Sequence, residues 1–175
     1  MNKLYFIAIY PPSSVIEDIR FFKEDLAKNY SNSKALKNEA HITLFPPFSR
    51  EITMEKDIIS AFQKVDTHIA PFKLTLNGFG CFPNPKNPVL FVQPEENEHL
   101  NLLHSKVKER FNFIKHTFNP HVTVGYRDLT FDNFERAWRN YEHKEYTTTF
   151  LVDHIQLLRH DGKWCTLSSK KLSLD

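Results

Sequence analysis

His41-Ile42-Thr43-Leu44 and His121-Val122-Thr123-Val124 decide how this chain is read. Each runs His, β-branched aliphatic, Thr, aliphatic. In an extended strand, successive side chains point to opposite faces. His41 and Thr43 then share one face and oppose Ile42 and Leu44. His121 and Thr123 oppose Val122 and Val124 in the same way. The aliphatic pairs belong against a core, the His/Thr pairs against something polar. Imidazole titrates near neutrality, so of two that converge one can accept a proton while the other donates one. Each Thr hydroxyl can donate a hydrogen bond to an anionic oxygen. Two such pairs in one cleft form a cradle for a phosphate or phosphodiester. That cradle carries its own base and acid, and it requires neither metal nor cofactor.

The flanking elements follow from periodicity and punctuation. Residues 4–10 are an apolar run rich in aromatic and β-branched types, closed by Pro11-Pro12, and read as a buried strand. Ser14-Val15-Ile16-Glu17 reads as a capping box, with Val15, Ile19, Phe22 and Leu26 as the buried stripe of the helix it opens. Residues 29–38 read as a loop bearing Lys34 and Lys37. The first motif strand covers 41–45 and is stopped by Pro46-Pro47. Ile58, Ala61, Phe62 and Val65 mark a second helix from about Met54. Alternation through Phe72, Leu74 and Leu76 predicts a strand that Gly78 and Gly80 bend, and the turn cluster 83–88 returns it as residues 89–92. Leu100, Leu103, Val107 and Phe111 give a third helix. The second motif strand, 121–125, follows Pro120. Asp132 with Glu135 reads as a capping box for a fourth helix bearing Phe134, Ala137, Trp138 and Tyr141. Residues 148–158 read as one strand. Asp161-Gly162 is a hairpin signal, and 163–172 returns.

The order strand, helix, motif strand, helix, strand therefore occurs twice. It predicts an α+β fold: one pseudo-twofold, bilobal domain over residues 1–175, with two small antiparallel sheets facing a central cleft and helices outside. A chain of 175 residues suits one domain with a sizeable core, and 16 Phe make that core aromatic. The net charge of +2 is compatible with an anionic ligand but is not the strong basic excess of a dedicated nucleic-acid binder. Cys81 and Cys165, few and far apart, imply a reducing compartment and no disulfide framework. The N-terminal apolar run is short for a signal peptide, and no stretch approaches the roughly 18 apolar residues of a membrane span. The expectation is a cytoplasmic monomer with no membrane partner.

The two motifs, the aromatic first strand ending in proline and the Pro-His that opens the second motif resemble the two-histidine phosphoesterase superfamily. That superfamily includes the 2′–5′ RNA ligase-like proteins and the cyclic phosphodiesterases, and is marked by two H-x-[S/T]-hydrophobic motifs. The resemblance covers essentially the whole chain. It implies metal-free hydrolysis or transesterification of a 2′,3′-cyclic phosphate or a 2′–5′ linkage, with a nucleotide or RNA end as partner. His41 and His121 would be the acid/base pair; Thr43 and Thr123 would hold the non-bridging phosphate oxygens. Two other functions share the cradle: an RNA- or nucleotide-binding module with little catalysis, and a 2′–5′ RNA ligase running in reverse.

Secondary candidates carry competing structural readings. Gly125, on the face of His121 and Thr123, would leave room for a ligand. Tyr126 is a substrate contact or a core residue, and Arg127 a phosphate contact or a solvated strand-end charge. Phe45, Phe48, Phe79 and Phe82 could stack on a base, against core packing as the common use. Lys34 and Lys37 steer an anion or are merely solvated. The remaining histidines, at 68, 99, 104, 116, 143, 154 and 160, have no partner pattern and read mostly as surface. A metal set of His116, His121 and His41 matches no common zinc spacing. The sequence holds no P-loop, dinucleotide fingerprint, serine elbow or paired-carboxylate site.

Overall fold

Aromatic and β-branched residues between Tyr5 and Ile9 build a strand buried on both faces in the computed structural model, which describes residues 1–112 and 117–174. The chain runs β1 (Asn2–Ile9), α1 (Ser13–Tyr30), β2 (Ile42–Glu51), α2 (Glu55–Gln63), β3 (Phe72–Phe82), β4 (Val89–Pro94) and α3 (Glu98–Phe111). It continues through β5 (Val122–Gly125), α4 (Phe131–Tyr141), β6 (Thr147–Val152), β7 (His154–Asp161) and β8 (Lys163–Lys171). The strands form two four-stranded antiparallel sheets, in the orders β2-β1-β7-β8 and β5-β4-β3-β6.

The halves interlock rather than sit side by side. Helix α1 follows β1 of the first sheet but packs on β5 of the second. Helix α3 follows β4 of the second sheet but packs on β2 of the first. Helices thus cover the outside of both sheets, whose other faces front a central cleft. One continuous apolar cluster runs from Tyr5 and Ile42 through Leu74 and Val92 to Ile155. The helical stripes bury as their spacing predicts: Val15, Ile19, Phe22 and Leu26 on α1, and Leu100, Leu103 and Val107 on α3. Among the described residues, no helix is long and apolar enough to cross a membrane.

Several boundaries differ from the sequence reading, each for a local reason. Helix α1 starts directly after Pro12, whose carbonyl accepts from the Val15 and Ile16 N–H groups; no side chain caps it, so Ser14 and Glu17 form no capping box. Helix α4 is capped by Thr130, whose Oγ1 accepts from the Asn133 N–H at 3.3 Å, and not by Asp132 with Glu135. The loop 29–38 contains a 3₁₀ turn, Lys34–Lys37. Residues 148–158 are two strands, not one. At Asp153 the chain passes from β6, an edge of the second sheet, to β7, which lies beside β1 in the first. Pro46-Pro47 do not stop β2. Tyr5 opposes Phe48 and Ile7 opposes Phe45, so both prolines sit in a bulge opposite Phe6 on an edge strand, where a missing N–H costs no ladder bond. His104 is no surface residue: it is buried, with its ring stacked on Phe118 at 4.0 Å.

Candidate active site

Both motif strands carry the same irregularity immediately after their His-x-Thr. On β2, Thr43 opposes Ala8 but Phe45 opposes Ile7, leaving Leu44 as an extra residue. On β5, Thr123 opposes Phe91 but Gly125 opposes Leu90, leaving Val124 extra. A bulge shifts which face the following residues take. Phe45 therefore turns inward against Phe48 and Phe111 and is not a cleft residue. Gly125 likewise turns away from the cleft. A Cβ there would lie 2.9 Å from Leu26 Cδ1 and 3.2 Å from Asn32 Oδ1, so the glycine permits close packing of α1 rather than ligand approach.

The two imidazoles are held alike. His41 Nδ1 lies 2.9 Å from the Glu39 carbonyl oxygen, and His121 Nδ1 lies 2.7 Å from that of Asn119. A carbonyl only accepts, so Nδ1 carries the proton in each ring and Nε2 keeps the lone pair. Each ring is also wedged between aromatics: His41 by Phe6 and Tyr10, His121 by Phe82 and Phe91. Burial pushes the His41 pKa down to about 4, against the Glu39 hydrogen bond that raises it; positive charge on Lys23 and on His121 lowers it further. Burial also lowers that of His121, again opposed by its carbonyl partner. Of the two rings, it is His41 that feels the other's charge: a protonated His121 adds to the influences that disfavour the His41 imidazolium.

A cavity of about 160 Å³ lies between the sheets, with His41, Thr43 and Thr123 in its wall. Tyr126 and Arg127 line it too, as does Trp164. The Tyr126 hydroxyl accepts from Asn38 Nδ2 at 2.6 Å, and the Arg127 guanidinium lies 5.0 Å from the Tyr126 ring centre. Arg127 occupies the left-handed region at φ 61°, which costs an L-residue roughly 1 kcal/mol. Buried Asn32 holds that turn, donating to the Tyr126 carbonyl oxygen at 2.7 Å and accepting from the Tyr126 N–H at 3.3 Å.

Lys23, Phe6 and Trp164 also line this cavity and escaped the sequence reading. Lys23 is only 5% exposed. Its Nζ donates to the Asn38 carbonyl oxygen at 2.6 Å, and burial pulls its pKa down to about 8. The signal for Lys23 was its position: four residues after Ile19 and three before Leu26, it continues the buried stripe of α1. Trp164 comes from the distant hairpin β7–β8 and stands 4.4 Å from Phe6; nothing local marks it. Among the described residues, no three His, Cys, Asp or Glu groups converge as a metal site. His116 lies outside the described residues.

Comparison with known proteins agrees with this geometry. The family model described as the 2′-5′ RNA ligase superfamily matches residues 10–164. A Geobacillus sp. (strain WCH70) protein assigned to the phosphoesterases is 30% identical over 166 residues, 91% of each chain. The RNA 2′,3′-cyclic phosphodiesterase of Archaeoglobus fulgidus is 30% identical over 126 residues, 69% of this chain and 70% of its own. The fold is that of E. coli LigT, matched at a TM-score of 0.69 over 99% of both chains with 17% identity; LigT has also been solved with 3′-AMP, ATP and phosphate. With two four-stranded sheets, two His-x-Thr motifs and a family match across most of its length, this chain belongs to the 2′-5′ RNA ligase superfamily, a family of two-histidine phosphoesterases.

Proposed function

We propose that the protein is a metal-independent phosphoesterase that opens 2′,3′-cyclic phosphates, or 2′–5′ phosphodiesters, at nucleotide or RNA ends. The observation that carries this is the matched pair of Nδ1–carbonyl clamps, which gives the His41 and His121 imidazoles the same tautomer, with His41, Thr43 and Thr123 in the wall of one cavity. One imidazole takes a proton from water as the water oxygen bonds to phosphorus. The ester P–O bond breaks, and the departing ribose oxygen takes a proton from the other imidazolium. The Thr43 and Thr123 hydroxyls donate to the non-bridging oxygens, whose charge grows toward the transition state. Lys23 and deep burial favour neutral His41, which suits it to the base, leaving His121 as the acid. Binding of nucleotides by E. coli LigT supports a nucleotide partner. A ligase would run the same steps backwards through the same groups.

The test is turnover of 2′,3′-cyclic nucleotides and cyclic-ended oligoribonucleotides in EDTA, comparing wild type with Thr43→Val and Thr123→Val. Each variant removes a hydrogen bond to a charged oxygen and should lower kcat/KM about 10- to 100-fold. Full wild-type activity in both variants, or loss in EDTA restored by zinc, would count against the reading.

The pH profile follows from the two depressed histidines. The base must be neutral, so kcat/KM rises as pH climbs through the His41 pKa of about 4. The acid must be protonated, so it falls as pH passes that of His121, below the ordinary 6.5. An anionic phosphate favours the imidazolium and raises both values, so the kcat profile should lie at higher pH than that of kcat/KM. A profile flat from about pH 5 to 9 would exclude paired His catalysis.

A further inference from the structure

Next to the cleft lies a second cavity, of about 210 Å³, lined by Lys34, Lys37, Asn38, Arg127, His160, Gly162 and Lys163. It shares Asn38 and Arg127 with the His/Thr cavity, so the two adjoin. Its charge is one-sided: four cations and a histidine line it, and no carboxylate does. Among the described residues, none of these four cations has an ion-pair partner within 4.0 Å. The nearby acids are occupied elsewhere. Asp161 is bound by Lys3 at 2.6 Å and Arg159 at 3.6 Å. Asp128 accepts from the Ser33 and Lys34 backbone N–H groups and from Asn32 Nδ2.

These cations come from three separate segments, and each segment is fixed. Asp128 ties down the 3₁₀ turn that bears Lys34 and Lys37. Asn32 holds the turn that carries Arg127. Gly162, at φ +75°, closes the hairpin that brings His160 and Lys163. Holding like charges together with no counter-charge is unfavourable unless an anion shares the space. Its place beside the cleft says which anion: one covalently attached to the substrate.

We infer that this groove is a second phosphate subsite, which takes the phosphate on the 5′-oxygen of the nucleoside whose 2′,3′-cyclic phosphate occupies the His/Thr cradle. The inference rests on the phosphoesterase reading above. It makes the preferred substrate the end of an oligoribonucleotide, or a 5′-phosphorylated cyclic nucleotide, rather than a cyclic nucleotide with a free 5′-hydroxyl.

The experiment compares kcat/KM for three substrates: a 2′,3′-cyclic nucleotide with a 5′-hydroxyl, the same nucleotide 5′-phosphorylated, and a dinucleotide ending in the cyclic phosphate. Wild type is set beside the triple variant Lys34→Gln, Lys37→Gln, Lys163→Gln, which leaves Arg127 and the cradle intact. Wild type should favour the two phosphate-bearing substrates by about 10-fold or more, and more steeply at low salt. The triple variant should bring that preference within about 2-fold while turning over the 5′-hydroxyl substrate as wild type does. A gain for both phosphate-bearing substrates identifies any 5′-phosphate as the ligand; a gain for the dinucleotide alone identifies the internal phosphodiester. No preference in wild type, or one that survives in the triple variant, overturns the subsite. If wild type turns over none of the three, the chemistry has failed and binding decides the groove. A fluorescent oligoribonucleotide ending in a 3′-phosphate should then bind wild type about 10-fold more tightly than the triple variant, and equal binding overturns the proposal.

Discussion

His41→Ala and His121→Ala each lower turnover of a 2′,3′-cyclic phosphate by at least about 100-fold, and the double variant falls little further. In the proposed mechanism each ring supplies one of two proton transfers in a single displacement, so losing either leaves the other without a partner step. Non-additivity is the diagnostic, because two independent binding contacts would multiply. The outcome must be separated from damage to the fold, since both rings pack among aromatics: His41 against Phe6 at 5.1 Å and His121 against Phe82 at 5.1 Å. Thermal unfolding of each variant, with binding of the product nucleotide, makes that separation. Lost turnover with retained binding marks an enzyme. Turnover and affinity both equal to wild type would remove the enzyme and the binding module together. Hydrolysis that persists in both variants would mean that the cleft is not where the chemistry occurs.

Gly80→Ala should cost up to about 100-fold in kcat with little change in KM, although Gly80 does not line the His/Thr cavity. Gly80 pairs directly with Phe91 across β3 and β4. The Phe91 ring lies over it so closely that a Cβ would meet Cε2 at 2.4 Å and Cζ at 2.8 Å. The ring must swing away, and that ring stands 5.3 Å from His121 and 4.6 Å from Phe82. His121 then loses part of the wall that fixes its plane, and a misplacement on the order of 1 Å is costly to proton transfer. Overpacking should cost about 1–3 kcal/mol of stability, partly offset because Ala suits a strand better than Gly. Shrinking the ring in Gly80→Ala with Phe91→Leu should relieve the clash and recover part of the stability, but not the wall of His121. Wild-type kcat in Gly80→Ala would show that Phe91 does not orient the histidine.

These two expectations differ in where they could be read. The His/Thr pairs were legible in the sequence because a strand alternates with period two, and Ile42, Leu44, Val122 and Val124 are all fully buried as that period demands. The helical stripes and the two hairpins were legible for the same local reason. What followed each motif was not. Gly125 is placed on the cleft face by continuing the alternation, and a bulge in β5 reverses it; a like bulge in β2 gives Phe45 to core packing and not to base stacking. A bulge arises from how a strand registers with its neighbour, and β1 and β4 are remote in sequence from the strands they bend.

By itself the sequence determined the α+β architecture, the approximate elements and the two catalytic candidates with their threonines, because those depend on periodicity within ten or so residues. Only the tertiary structure decided that residues 148–158 divide between two sheets at Asp153, and that Lys23 turns a charged tip into the cleft. It also decided that Trp164 faces Phe6, and that Lys34, Lys37, Arg127 and Lys163 converge on one groove. Each of these is a contact between segments far apart along the chain, formed where apolar burial and sheet pairing bring the segments together. No local pattern encodes such a meeting.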